Sequence, residues 1–305
     1  MPSATYSIEC RSLSKHFGSF KAVEKVDLAV APGEVLGFIG PNGAGKRTTI
    51  RMLLGLSDAT SGVVRIFGED PRTSRDVRRR IGYSPGELRL DERFTVAATL
   101  DLWAELRGGV DLAFRQELVE RLGVDTKKKV RSLSTGNRRK ISLVGALMGR
   151  PELLILDEPT NGLDPLVQRE FMTVLGQVVK NGTSVLLSSH IMGEVERLAD
   201  RVTVIRQGRL IATGTTAELR DDAEQQMHLG FAGAAPAAAE LENVRGVLSV
   251  ERPDDRRLTI RWTGSPGPLL QALARHEVVS MTAPEPDLET AFLSYYRSPV
   301  RSDAT

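Results

Sequence analysis

The sequence predicts an α/β fold: one large sheet domain carrying a helical insertion, followed by a smaller α+β domain. Three observations predict it. Short continuous apolar runs at 34–39, 153–156 and 184–189 read as buried strands. The first of them runs into Gly40-Pro41-Asn42-Gly43-Ala44-Gly45-Lys46-Arg47-Thr48-Thr49, a glycine-rich turn followed by the helix start Ile50-Arg51-Met52-Leu53-Leu54. Strand, glycine-rich turn and helix are the setting in which backbone N–H groups can wrap an anion. Beyond about residue 221 the composition changes, with Asp221-Asp222 and an alanine-rich stretch at 232–239.

Taken in order, residues 6–13 and 23–30 alternate as strands, with a turn at Lys15-His16-Phe17-Gly18. Ala31-Pro32-Gly33-Glu34 turns into the strand that feeds the loop. Residues 61–68 read as a strand, 71–80 as an exposed helix, and 81–87 as a short strand with a Pro-Gly turn. From about 92 to 150 the pattern is helical: Val96, Leu100, Trp103 and Leu106, then Phe114, Leu118 and Leu122, recur at three- and four-residue spacings. Trp103 and Phe114 read as core. Ser134 is placed as the N-cap of a helix whose apolar face is Ile141, Val144, Leu147 and Met148. Residues 165–180 form a helix, and 202–205 with 209–212 a hairpin. The domain boundary is set at 222/223. In 223–305, strands are expected at 246–251 and 257–262 and helices at 269–273 and 288–296, with His228 and His276 as surface or packing residues.

The 305 residues suffice for such a pair of domains, and a hydrophobic content of 41% supports a sizeable core. A net charge of +2 implies no bulk attraction to nucleic acid. The short basic clusters at 78–80, 127–129 and 138–140 read as solvated or phosphate-facing surface. Cys10 is the single cysteine, so one chain has neither a disulfide nor a cysteine metal site, as suits a reducing compartment. No apolar run reaches the roughly 18–20 residues that cross a bilayer, and the start of the chain has no apolar leader. A membrane role is therefore expected only through a partner.

The chemistry gathers on few residues. Lys46 brings a full charge to the end of the loop, where a helix N-terminus already favours phosphate. The place after it ordinarily carries a Ser or Thr hydroxyl for Mg²⁺, but here it is Arg47, which has donors and no acceptor. Thr48 and Thr49 follow, and a one-residue shift on a helix turns a side chain by about 100°. Asp157 and Glu158 close an apolar strand in a chain that already has a phosphate loop. Such a pair suits a division of labour: Asp157 for Mg²⁺, Glu158 for polarising an attacking water. His190, at the end of a third buried strand, is placed to reach a terminal phosphate, and Phe17 to stack on an adenine ring or pack as a core aromatic.

The loop, the Leu133-Ser134-Thr135-Gly136-Asn137 segment, Asp157-Glu158, Asp164 and His190 occur in one order that resembles the nucleotide-binding subunit of ATP-binding cassette (ABC) transporters, over about residues 5–220. The segment at 287–293 resembles the tail of drug-resistance-like, type-2 exporter ATPases. The resemblance implies a P-loop NTPase-type ABC ATPase fold, ATP and Mg²⁺ as cofactors, and a homodimer closing on ATP. In that dimer the loop of one copy faces Ser134, Thr135, Gly136 and Asn137 of the other, and Asp164 crosses the interface. It also implies an integral membrane permease docked near 83–95, and a location on the cytoplasmic face of the membrane. Arg47, Gly86 (where a glutamine is usual) and Thr135 with Asn137 (for Gly and Gln) depart from the pattern. Two alternatives stay open: a soluble ABC ATPase unconnected with transport, and an ATP-binding regulatory subunit whose turnover Arg47 and Gly86 weaken.

Overall fold

The computed structural model describes residues 5–221, 224–284 and 292. The chain forms two compact units, 1–213 and 214–305, divided about nine residues before the boundary expected from composition. The 287–293 segment and the 288–296 helix lie outside the described residues apart from Phe292.

In the first unit, β1 (Ile8–Phe17) and β2 (Phe20–Val30) pair antiparallel. The turn is tighter than expected: Lys15, His16 and Phe17 belong to the strand, and only Gly18 and Ser19 turn the chain. β3 (Val35–Ile39) is wholly buried and leads through the glycine loop into α1 (Lys46–Leu53). β4 (Ser61–Ile66) adds to β1, giving a three-stranded sheet in the order β2-β1-β4. α2 (Arg75–Arg80) is shorter than the expected helix, because Asp70 folds residues 70–74 into a turn by accepting the Arg72 N–H at 2.9 Å. β5 (Ile81–Ser84) follows directly.

The insertion contains α3 (Val96–Leu106) and α4 (Leu112–Arg121), capped by Thr95 and Asp111. Its neck is tied where the Val96 N–H donates to Lys128 O at 2.9 Å and the Val130 N–H to Phe94 O at 3.0 Å. Phe114 is buried as expected, but Leu106 is 71% exposed and Trp103 only half-buried, lying on the bare face of Gly145. α5 (Thr135–Leu147) starts at Ser134, whose Oγ accepts the Asn137 N–H, and its face of Ile141, Val144 and Leu147 is fully buried.

β6 (Leu153–Asp157), α6 (Pro165–Lys180), β7 (Ser184–Ser189), α7 (Met192–Leu198), β8 (Arg201–Arg206) and β9 (Arg209–Thr215) complete the unit. The second sheet runs β5-β6-β7-β3-β8-β9, with β5, β6, β7, β3 and β8 parallel. Strands buried on both faces read as unbroken apolar runs, which is why β3, β6 and β7 stand out in the sequence. Leu36, Phe38, Ile50, Leu53, Ile155 and Leu186 share one core with Ile8, Leu13 and Val26 of the antiparallel sheet. Each such buried side chain contributes about 1.5–3 kcal/mol. Parallel register puts the C-terminal ends of β3, β6 and β7 side by side, the edge where open α/β sheets hold ligands.

The second unit holds α8 (Thr216–Asp221), β10 (Gln225–Phe231), α9 (Ala238–Glu242), β11 (Val247–Asp254), β12 (Arg257–Trp262), α10 (Gly267–Leu273) and β13 (Val278–Thr282). Its sheet order is β11-β12-β10-β13. β10 and β13 were not expected. β10 nevertheless shows the period of two, with Met227, Leu229 and Phe231 in the core beside Leu258, Ile260 and Trp262. His228 and His276 bond to Thr259 and Glu240, as packing residues do.

Cys10 is 2% exposed, and burial pushes its thiol pKa up to about 12. The neutral thiol is a poor nucleophile. We expect the folded protein to release no colour from a disulfide reagent at pH 8, and one equivalent per chain after denaturation. Prompt reaction of the native protein would mean that β1 opens readily.

Candidate active site

The glycine loop is shaped by what its backbone touches. A Cβ on Gly40 would lie 2.5 Å from Ile205 O, and one on Gly45 2.8 Å from Ala22 O. Gly45 also has a φ of 112°, and Gly43 one of 81°. Larger residues would push the loop off the sheet or strain it. Gly45 is the N-cap of α1 and caps it with no side chain, so the first-turn N–H groups point out of the helix uncapped. Pro41 and Asn42 are exposed and Ala44 is buried at the base. Lys46 is buried, its Nζ donating to Gly40 O and, at 3.3 Å, to Pro41 O. Such a cradle fits a polyphosphate: donors converge and no Cβ fills it.

Asp157 ends β6 in register with Ser188 of β7, and Ser188 Oγ donates to its Oδ1 at 3.2 Å. The next residue, Glu158, has a positive φ of 50°, which swings its side chain away from the strand direction. Its Oε2 accepts from the His190 ring Nδ1 at 2.5 Å and from the His190 N–H at 3.3 Å. A carboxylate partner places the ring proton on Nδ1. Glu158 Oε1 lies 3.5 Å from Lys46 Nζ and is buried without a hydrogen-bond partner. Lys46, Asp157, Glu158 and His190 are thus brought to one edge of the sheet.

Arg47 stands over Asp157, its Nε 3.5 Å from Oδ2, and its Nη1 donates to Glu87 Oε1 at 3.0 Å. The Glu87 hydrogen bond is the main cause that raises the Arg47 pKa, and the same bond lowers that of Glu87. Gly86 N–H donates to Asp157 Oδ2 at 3.3 Å. Thr49 turns inward, donating to Gly45 O at 3.0 Å, and Thr48 is half-buried. Of the three places where the family pattern seats Mg²⁺, Arg47 offers only donors, Gly86 has no side chain, and both oxygens of Asp157 already accept from protein groups. These residues do not fit the ion in the usual way.

A second cluster lies elsewhere on the unit. Gly136 rests on the turn before α6, where a Cβ would stand 2.4 Å from Gly162 O. Ser134 and Thr135 are exposed there, the Asn137 side chain donates to Ser134 Oγ at 3.1 Å, and Asp164 caps α6 by accepting the Val167 N–H. Phe17 is 56% exposed, with Lys15 Nζ 5.1 Å from its ring centroid. It is not a core aromatic.

The family description "ABC transporter" matches residues 23–161. A Nod factor export ATP-binding protein I from Cupriavidus metallidurans is 37% identical over 298 residues, covering 95% of this chain and 97% of that protein. The chain belongs to the ATP-binding proteins of ABC transporters. The daunorubicin/doxorubicin resistance ATP-binding protein DrrA of Streptomyces peucetius is 34% identical, covering 99% of this chain and 96% of that one. A solved ATP-binding subunit of an ABC transporter superposes with a TM-score of 0.65 at 30% identity, over 70% of this chain and 91% of the other. The cassette MJ0796 (TM-score 0.62, 21% identity, 68% of this chain and 98% of the other) shares the fold. As a member of this family the chain is an ABC-type ATPase built on a P-loop fold.

Two residues around this ATPase site escape a reading of the sequence. Ser188 holds Asp157, and a serine inside a buried strand was the available signal. Arg139 sits in a basic cluster expected at the surface, yet it is 6% exposed and its guanidinium donates to the carbonyls of Pro85 and Gly86. Removing the Ser188 hydroxyl leaves Asp157 Oδ1 short of a donor. Ser188→Ala should lower the unfolding free energy by about 1–2 kcal/mol in urea titrations, and an unchanged midpoint would show that the bond is not holding Asp157.

Proposed function

We propose that this ABC ATPase is the motor of a membrane exporter, closing as a homodimer on ATP and hydrolysing it. The observation that carries the hydrolytic reading is the buried Glu158 Oε1, which accepts no hydrogen bond although it lies beside Lys46 and shares its carboxylate with His190. An acceptor there takes the proton of a water as its oxygen attacks the γ-phosphorus and the bond to the ADP oxygen breaks. Lys46 stabilises the charge on the phosphates, and His190, oriented through Nδ1, turns its other nitrogen outward. Phe17 stacks on adenine. Residues 40–49 hold phosphates of one nucleotide, and Ser134, Thr135, Gly136 and Asn137 of a second copy close over them, with Asp164 at the seam. Closure excludes water and strengthens each of these interactions.

Relatives named for Nod factor export, daunorubicin/doxorubicin resistance and bacitracin transport support the exporter reading. Among the described residues no helix is long and apolar enough to cross a membrane, so coupling runs through a permease at the cytoplasmic face of the membrane. A cavity of about 520 Å³ lined by Arg75, Arg78, Arg79, Tyr83, Trp103 and Arg107 suits a permease segment with an acidic and an apolar side. The ATPase then spans the first unit, with its insertion, and the tail the second, which begins at Gly214 rather than at the expected 223.

Glu158→Gln should cut phosphate release by at least about a hundredfold while ATP still drives dimerisation in light scattering. A variant that turns over normally would remove Glu158 from the reaction. A second reading, an ATP-binding subunit with weak turnover, is favoured by the Arg47–Asp157 contact. It predicts that Arg47→Ser releases phosphate faster than wild type when both are assayed with Mg²⁺; an equal or slower variant would dismiss it.

A further inference from the structure

We propose that the Arg47 guanidinium is a built-in replacement for the divalent cation, so that this chain binds nucleoside triphosphate with nearly the same affinity whether or not metal is present. The inference rests on the reading of residues 40–49 as a triphosphate cradle.

Two departures from the family pattern, thirty-nine positions apart in sequence, meet in one place. Arg47 Nε lies 3.5 Å from Asp157 Oδ2, and a Cβ added to Gly86 would stand 2.8 Å from that same oxygen and 3.0 Å from Arg47 Nη2. The guanidinium can lie against the carboxylate because residue 86 has no side chain. A glutamine there would have to displace one or the other. The arrangement is also held from outside. Arg139 bonds both carbonyls of the 85–86 loop, Gly86 N–H reaches Asp157, and Glu87 anchors the far side of the Arg47 fork at 3.0 Å.

The chemistry agrees. A guanidinium offers five donors in one plane, and the contacts to Asp157 and Glu87 leave N–H groups for phosphate oxygens. It stays charged at every working pH. A divalent ion entering beside it would meet a fixed positive charge and a carboxylate whose oxygens are already engaged. Arg47 sits in the first turn of α1, its side chain reaches Asp157, the residue before Glu158, and half of it is exposed.

The test is calorimetric titration of the full wild-type chain with the non-hydrolysable analogue AMP-PNP, once with Mg²⁺ and once with EDTA. The expected result is a Kd that changes by less than about threefold, and a double variant, Arg47→Ser with Gly86→Gln, that binds at least about tenfold more weakly in EDTA than in Mg²⁺. A wild-type Kd about tenfold or more weaker in EDTA would overturn the inference and leave the ATP-binding reading intact. A double variant that stays metal-independent would also overturn it, since the independence would not come from Arg47. No binding under either condition would overturn the inference together with the reading beneath it.

Discussion

The site depends on a buried ammonium facing a buried carboxylate. Lys46 Nζ and Glu158 Oε1 are 3.5 Å apart, on the first turn of α1 and just past the end of β6. The Lys46 side chain is 7% exposed and that of Glu158 15%. A lone buried charge costs several kcal/mol, so each makes the other tolerable, and losing one partner of such a pair typically costs about 3–5 kcal/mol. The carbonyls of Gly40 and Pro41 complete the shell around Lys46, and His190 does the same for Glu158. The loop conformation is therefore coupled to the ends of two other strands. An anion entering the loop would compete with Glu158 for the same ammonium, so in the proposed reaction occupancy of the loop is tied to the position of Glu158.

That coupling requires the strand order. β3 lies beside β7, and β7 beside β6, all parallel, so the loop, the histidine and the acid pair leave the sheet at one edge. α3 and α4 of the insertion supply none of Lys46, Asp157, Glu158 and His190. α5 returns from the insertion to place Ser142 on Ser84 and Arg139 on the 85–86 loop. α5 is thereby linked to Gly86, and through the Gly86 N–H to Asp157.

Much of this was legible in the residues. The three buried strands announced themselves as apolar runs, and the loop, Asp157-Glu158 and His190 could be assigned to strand ends because such runs have visible limits. What could not be read were relations between distant residues. Gly86 looked like a missing glutamine, and only its distance to Arg47 shows that the bare Cα accommodates the guanidinium. Arg139 looked like one of three surface cations, because burial is a property of the fold and not of the cluster. β10 was missed because Gln225 and Gln226 open it and an alanine-rich stretch follows, so its period of two ran for too few residues to stand out. α2 was overextended because charge pattern suggests exposure without saying where a turn ends.

The positive φ of Glu158 explains why the two acids face different partners. Two consecutive residues at the end of a strand would normally point to opposite faces. At φ 50°, a conformation that typically costs a non-glycine residue about 1–3 kcal/mol, the chain instead turns sharply after Asp157. The cost is met by the Glu158 N–H donating to Ser188 O at 2.8 Å and by its carbonyl accepting the Asn161 N–H at 3.3 Å. With the backbone held there, Asp157 stays in the sheet, engaged by Ser188, Gly86 and Arg47, while Glu158 is turned onto Lys46 and His190. One carboxylate is thereby committed to protein donors, and the other keeps an oxygen without a hydrogen bond. A glycine at 158 would relieve the strain and lose the carboxylate; a relaxed glutamate would keep the carboxylate and aim it elsewhere. The strained backbone is what aims this acid at Lys46 and the glycine loop.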